Sequence, residues 1–356
     1  MSITYAGKPS PDIHRTPQRR LWLRSEVLAN NKYAIIEKLG QGKFGEVYKG
    51  LDIQTNEPVA IKIECNRLSN PPQSNQTLSN QPQSKHNNNK PTDLNILKHE
   101  TQILNYLYNR RCRNIPYIYW YGLHDNTPSL VMPYYEYSLF DLFTRTAPHP
   151  TNIPTMTFAE IARSIIRILQ HIHESGVVHR DIKPHNFMVK NRELFLIDFG
   201  MATFYVDEKL QHKKEPEQLK EDLLGTLKYI SINIHSGKEY TRRDDLISAG
   251  YLFLFLNNWL FWDRLCENTV GLLTKTVYTE THIHHPKNNG YRMAKELSNI
   301  EKDMAEIESE RTPTSEKERR IPYDDKPSKI IEYLRYVYNL HFAETPNYDL
   351  MARRIS

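Results

Sequence analysis

The sequence predicts an α+β fold in which a small β-rich lobe precedes a larger helical lobe. Three observations carry this. From Tyr33 onward, short β-rich runs (Tyr33 with Ile35 and Ile36, Val47-Tyr48, Val59 to Ile63) are broken by glycine and turn residues, the pattern of an antiparallel sheet. Beyond about Pro133 the apolar period changes, and Phe158, Ile161, Ile165, Leu169 and Ile172 recur at helical spacing. Thr157-x-x-Glu160 stands at the head of that run as a capping box, which marks where the helix begins.

Taken in chain order, residues 1–32 carry Pro9, Pro11 and Pro17 among basic residues and read as a flexible extension. One domain is expected over 33–345, with an N-lobe at 33–132, a C-lobe at 133–345 and a C-terminal tail at 346–356. Within the N-lobe, residues 66–93 are dominated by Asn, Gln, Ser and Pro. They have almost nothing to bury and read as a disordered insertion. A helix comes next, with Ile96, Leu97, Ile103, Leu104 and Leu107 near one face. Tyr251 to Leu256 and Trp259 to Trp262 form the longest apolar run. Asn257 and Asn258 interrupt it, so it is too short to span a bilayer and reads as a buried helix. Residues 295–320 are a charged helix or mobile loop, and an amphipathic helix is expected near Ile330, Leu334 and Val337.

Composition narrows the function classes. A chain of 356 residues with 39% hydrophobic and 25% charged residues can bury a large core and is ordinary for a soluble protein. A formal charge of +5 suits an anionic ligand or acidic substrate but is too dispersed to argue for nucleic acid. Cys65, Cys112 and Cys266 lack metal or disulfide-framework spacing, which favours a reducing cytoplasmic or nuclear setting. The first twenty residues hold no apolar run of a signal peptide. A monomer without membrane or nucleic-acid partners is the expectation. His282-Ile283-His284-His285 has no acidic or cysteine companion and reads as a polar loop rather than a metal site.

The chemistry lies in four segments. Gly40-Gln41-Gly42-Lys43-Phe44-Gly45-Glu46-Val47 is a glycine loop whose bare backbone can approach phosphates. A dinucleotide-binding loop should open a helix, whereas the residues after this one read as a strand. Lys62, with Ala60 in Val59-Ala60-Ile61-Lys62, is flanked by β-branched residues and needs an anionic partner. Nucleotide phosphates and Glu100 are the candidates. His179-Arg180-Asp181-Ile182-Lys183-Pro184-His185-Asn186, followed by Asp198-Phe199-Gly200, supplies the groups that phosphoryl transfer requires. Asp181 would orient the attacking hydroxyl and accept its proton, Asn186 and Asp198 would be oxygen ligands for Mg2+, and Lys183 with Lys62 would hold phosphate charge.

That set resembles the protein kinase signature. The resemblance implies a bilobal fold and ATP with Mg2+. A lysine at position 183, with Gly225-Thr226 to position it, implies serine or threonine acceptors. Near the hinge, Met132 would be the gatekeeper; Pro133 keeps its carbonyl for adenine, and Tyr135 would offer the donor amide.

Downstream, most kinases carry Ala-Pro-Glu. In that region this chain has Gly225-Thr226-Leu227-Lys228-Tyr229-Ile230-Ser231-Ile232-Asn233 and then Arg242-Arg243-Asp244-Asp245-Leu246. These segments are similar to the casein kinase I family, as are Lys62 to Cys65 and Ser138 to Phe143. The resemblance covers about residues 33–65 and 94–262, with a looser match near 330–348. It implies protein substrates that are acidic or already phosphorylated. It also implies that Asp245 holds the backbone of the catalytic loop, and that Lys228 and Arg242 are candidates for an anion site. The chain departs from the family in the Asn/Gln-rich insertion, in Leu260-Phe261-Trp262, and in Met201 to Phe204, where family members carry lysines.

A non-catalytic scaffold would be expected to lose Lys62, Asp181 or Asp198, and all three are present. Small-molecule kinases generally lack the Lys183–Thr226 arrangement and the Arg-Arg-Asp-Asp-Leu segment. Between Gly200 and Gly225 the only hydroxyl side chains are Thr203 and Tyr205. Activity without phosphorylation of this loop is therefore expected, with Glu215, Glu217, Glu221 or Asp222 neutralising Arg180 instead.

Overall fold

The computed structural model describes residues 27–29, 31–42, 45–64, 96–144, 156–220, 224–257, 260 and 328–355. The expectations for 66–93, for 282–285 and for 295–320 fall outside them. So do Lys43, Phe44, Glu221 and Asp222.

The N-terminal part is a six-stranded antiparallel sheet. Its strands are β1 (Val27–Leu28), β2 (Tyr33–Gly42), β3 (Gly45–Asp52), β4 (Pro58–Glu64), β5 (Trp120–His124) and β6 (Thr127–Pro133), in the order β1-β2-β3-β4-β6-β5. The glycine segment forms the β2–β3 hairpin, with Gly42 paired to Gly45. It leads into a strand, as the sequence expects. Gly45 is required by packing: a Cβ there would lie 2.2 Å from the Ile63 carbonyl oxygen. Leu28, Tyr33, Val59, Ile61 and Val131 form the apolar cluster on the sheet.

Helix α1 (Ile96–Asn109) buries Leu97, Glu100, Ile103, Leu104 and Leu107 at helical spacing. Leu97 joins Leu130 and Met132 of β6 in a second cluster. Glu100 is the exception on that face, a carboxylate 1% exposed, and its partners define the site below.

After β6 come β7 (Tyr137–Ser138), α2 (Leu139–Thr144) and α3 (Phe158–Glu174). The capping box of α3 is formed: Thr157 Oγ1 accepts from the Glu160 amide at 3.2 Å, and Glu160 accepts from the Thr157 amide at 2.7 Å. Strands β8 (Val177–Val178), β9 (Phe187–Lys190), β10 (Glu193–Leu196) and β11 (Thr203–Phe204) make two small antiparallel sheets, β10-β9-β7 and β11-β8. The short helix α4 (Ile232–His235) precedes α5 (Arg242–Leu256), in which every residue is buried, Arg242 to Asp245 included. A helix apolar all round its later turns belongs in a core, and α3, α5, α6 (Ser328–Tyr338) and α7 (Tyr348–Arg354) share one. Among the described residues, no helix is long and apolar enough to cross a membrane.

The packing does not stop at residue 345. Tyr348, Met351 and Ile355 are buried in the helical core, and α7 lies against α3. The sequence division at 345/346 passes over this because α7 spans only two turns and is polar between its anchors.

Candidate active site

Strand β4 carries Lys62 toward α1 and toward the turn after β10. Its ammonium donates to Glu100 Oε2 and Asp198 Oδ1, both at 2.7 Å. Burial alone would pull this lysine's pKa down; the two carboxylates outweigh that and raise it. Burial pushes Glu100 up, opposed by Lys62, whereas at Asp198 Lys62 wins and the carboxyl is held below its usual range. Glu100 also accepts from the Phe199 amide at 3.2 Å. Asp198 sits in the left-handed region, φ 66° and ψ 67°, at the start of a 3-10 turn over Phe199–Met201. Strain of that kind is found where a side chain must be aimed.

The second half of the site is the segment after β8. Thr226 Oγ1 donates to Asp181 Oδ1 at 2.7 Å, and Lys183 Nζ donates to Asp181 Oδ2 at 2.7 Å and to Thr226 Oγ1 at 3.1 Å. Asn186, in a 3-10 turn opened by Pro184, donates its amide N–H to the Asp181 carbonyl at 2.8 Å. The same amide nitrogen lies 3.1 Å from Asp181 Oδ2, so Asn186 Oδ1 keeps its lone pairs.

Asp245 holds this segment from below. Fully buried at the start of α5, it accepts from the His179 amide at 2.7 Å and the Arg180 amide at 2.9 Å. Arg180 has φ 68°, so a left-handed backbone is being held in place. His173 lies 3.0 Å from Asp245 Oδ2 through Nε2 and 2.8 Å from the Tyr348 hydroxyl through Nδ1. A neutral imidazole satisfies both contacts, donating to the carboxylate and accepting from Tyr348.

That arrangement has a pH consequence. Burial holds the His173 pKa below its ordinary value even though Asp245 opposes this. The unfolded chain then binds a proton near pH 6.5 that the folded chain refuses. Stability is full above that pH and falls as pH drops below it. Melting temperature followed from pH 8 to pH 5.5 should decline, and His173→Gln should decline less steeply. An unchanged slope in the variant would assign the effect to other histidines.

The remaining predicted residues lie along the sheet. Gly40, Gln41 and Gly42 end β2, and Val47 of β3 pairs with Lys62. Ala60 pairs with Met132, and buried Tyr135 packs on Phe195 at 5.0 Å between ring centres.

Two expectations change. Arg242 is not free to bind an external anion. Its guanidinium donates to the Ala343 and Glu344 carbonyls at 2.8 and 3.0 Å and lies over the Tyr205 ring. The segment before α7 thus takes the terminal nitrogens of this guanidinium, and its Nε is buried without a partner. Second, Glu215 and Glu217 are exposed and make no ion pair with Arg180 among the described residues. Arg180 donates instead to the Met201 carbonyl at 2.5 Å, with Tyr240, Glu239 and Asp245 as its electrostatic neighbours. Tyr205 is buried and donates its hydroxyl to the His173 carbonyl at 2.6 Å.

A lysine–glutamate–aspartate cluster therefore joins β4, α1 and the Asp198 turn, and a lysine–aspartate–threonine triangle stands next to it. Comparison with protein families matches residues 33–323 to the family described as Protein kinase domain. The chain belongs to the protein kinase family.

Proposed function

We propose that this chain is a serine/threonine protein kinase of the casein kinase I type, bilobal, using ATP with Mg2+ and active without phosphorylation of its activation loop. The observation that carries the reading is the triangle of Asp181, Lys183 and Thr226. It fixes a carboxylate and an ammonium side by side, where an acceptor hydroxyl and a transferring phosphate need opposite charges.

In the reaction, the substrate hydroxyl oxygen bonds to the γ-phosphorus of ATP while the bond from that phosphorus to the bridging oxygen of ADP breaks. The hydroxyl proton passes to Asp181, and Lys183 balances negative charge on the phosphoryl oxygens. Lys62, anchored by Glu100, faces the nucleotide phosphates. Gly40 and Gly42 support this: a Cβ at either would meet nothing within 4 Å, so packing does not demand glycine there. Close approach of a phosphate does. Ala60, Met132 and Tyr135 would line the adenine end.

Asn186 and Asp198 suit Mg2+ by their chemistry, a free amide oxygen beside a carboxylate that stays ionised. Bound there, the ion would neutralise phosphate charge. For acidic or phosphorylated substrates, Arg242 is withdrawn, which leaves Lys228 of the two anion-site candidates. Activity without loop phosphorylation is supported by buried Tyr205 and by the protein's own carboxylates around Arg180.

The test is a peptide library with Ser, Thr or Tyr acceptors, each with and without phosphoserine upstream, assayed with bacterially produced, phosphatase-treated protein. Phosphorylation of Ser and Thr but not Tyr peptides is expected. Tyrosine transfer would overturn the acceptor assignment, and loss of activity after phosphatase treatment would overturn the unregulated loop.

A further inference from the structure

The far end of the chain reaches the catalytic segment through a line of buried hydrogen bonds. The Tyr348 hydroxyl lies 2.8 Å from His173 Nδ1, and His173 Nε2 lies 3.0 Å from Asp245 Oδ2. Asp245 Oδ2 also accepts from the His179 amide at 2.7 Å, and Asp245 Oδ1 accepts from the Arg180 amide at 2.9 Å. Asp181 is the next residue in the chain. His173 and Asp245 are 1% and 0% exposed, so bulk water offers no substitute for these bonds.

Each link constrains the next. An ionised carboxylate only accepts, so the Asp245 contact places the imidazole proton on Nε2 and leaves Nδ1 an acceptor. Tyr348 supplies the donor that this buried nitrogen needs. Asp245 Oδ2 serves His173 and the His179 amide together, so a turn of the imidazole pulls on the oxygen that holds the catalytic segment. The backbone it holds is strained at Arg180, φ 68°, and relaxes when its support shifts.

Packing alone does not fix the Tyr348 ring. A cavity of about 370 Å³ adjoins it, with His173, Glu174, Arg242, Thr345 and Asp349 among its walls. The tyrosine and histidine rings are 5.9 Å apart and inclined at 53°, so they do not stack. The chain just before Tyr348 is tied to the start of α5. Thr241 Oγ1 donates to the Phe342 carbonyl at 3.0 Å, beside the Arg242 bonds to the Ala343 and Glu344 carbonyls. The hydroxyl thus sits on backbone anchored to the same helix turn from which Asp245 projects.

We infer that Tyr348 is a positioning residue for phosphoryl transfer, acting on Asp181 through His173, Asp245 and the backbone of residues 179–181. Its hydroxyl orients the imidazole, and the imidazole aligns the Asp245 carboxylate. The carboxylate then keeps Asp181 in register with Lys183 and Thr226. The kinetic part of the inference rests on the kinase reading above; the structural link does not.

The test compares Tyr348→Phe, which keeps the ring and removes the hydroxyl, with Ile355→Ala. The second change thins the core packing just past α7 and leaves the hydrogen bonds in place. The full chain is assayed with ATP and a serine peptide from the library above, well below the melting transition of each variant, alongside amide hydrogen exchange. Tyr348→Phe should lower kcat by about threefold to tenfold with both KM values unchanged, short of the ~100-fold of a full 1 Å misplacement. Exchange at residues 179–181 should quicken with it. Ile355→Ala should lower the melting temperature while kcat and those amides keep wild-type values. Wild-type kcat in Tyr348→Phe, an equal fall in both variants, a change confined to KM, or slowed turnover without faster exchange at 179–181 would each overturn the inference. If the wild-type chain transfers no phosphate, the kinase reading fails, and the exchange comparison still decides the link from Tyr348 to residues 179–181.

Discussion

Asp181→Asn is expected to lower kcat by about 10²–10⁴-fold, the range attributable to a positioned general base, while the protein stays folded and keeps its affinity for ATP. The amide fills the same volume, and its oxygen can still accept from Thr226 or Lys183, so the triangle is loosened rather than emptied. The loss is of the carboxylate proposed to take the proton. Asp198→Asn is the informative companion. It should also abolish turnover, but it weakens Mg2+-dependent nucleotide binding as well, because the change falls on the proposed metal ligand and on the partner of Lys62. Nucleotide titrations with and without Mg2+ separate the two variants. Near wild-type turnover in Asp181→Asn would remove it from the base position.

The parts legible in sequence are those where chemistry is packed into a short segment. His179 to Asn186 and Asp198 to Gly200 stand out through residue type and spacing, and the structure brings Asp181, Lys183, Asn186 and Thr226 within hydrogen-bond reach. The Lys62–Glu100 pairing is also accessible, because a cation flanked by buried β-branched residues must find an anion. The features that sequence reasoning misses depend on contacts between distant segments. Nothing in the spacing of His173 and Tyr348 signals that they meet, nor that α7 is packed. Arg242 is misread for the same reason: an arginine at a helix start looks like a surface cation until the carbonyls of residues 343 and 344 arrive to cap it.

Asp245→Ala is expected to be the most damaging single change in stability and to abolish activity with it. The carboxylate touches no substrate, yet it receives the His179 and Arg180 amides and the His173 imidazole with no exposure to water. Removing it strands three buried donors at about 1–3 kcal/mol each and leaves a cavity beneath the segment it supports. A total near the 3–5 kcal/mol typical of breaking a buried charged group from its partners is the expectation. Asp245→Asn separates support from charge. Its oxygen can still accept from one amide, but its NH2 faces the other donors, so it should remain folded with a lowered melting temperature. Loss of the second amide frees the left-handed Arg180 to relax, and Asp181, next in the chain, moves with it. Turnover should therefore fall by more than tenfold at temperatures where the variant is fully native, because small displacements of a reacting group are costly. Rates compared well below the melting transition, alongside the amide hydrogen exchange of residues 179–181, decide the matter. Faster exchange at those amides with slowed catalysis is the expected pair of results. A variant of lowered stability that exchanges and turns over like wild type in the cold would show that Asp245 supports the fold without positioning the catalytic segment.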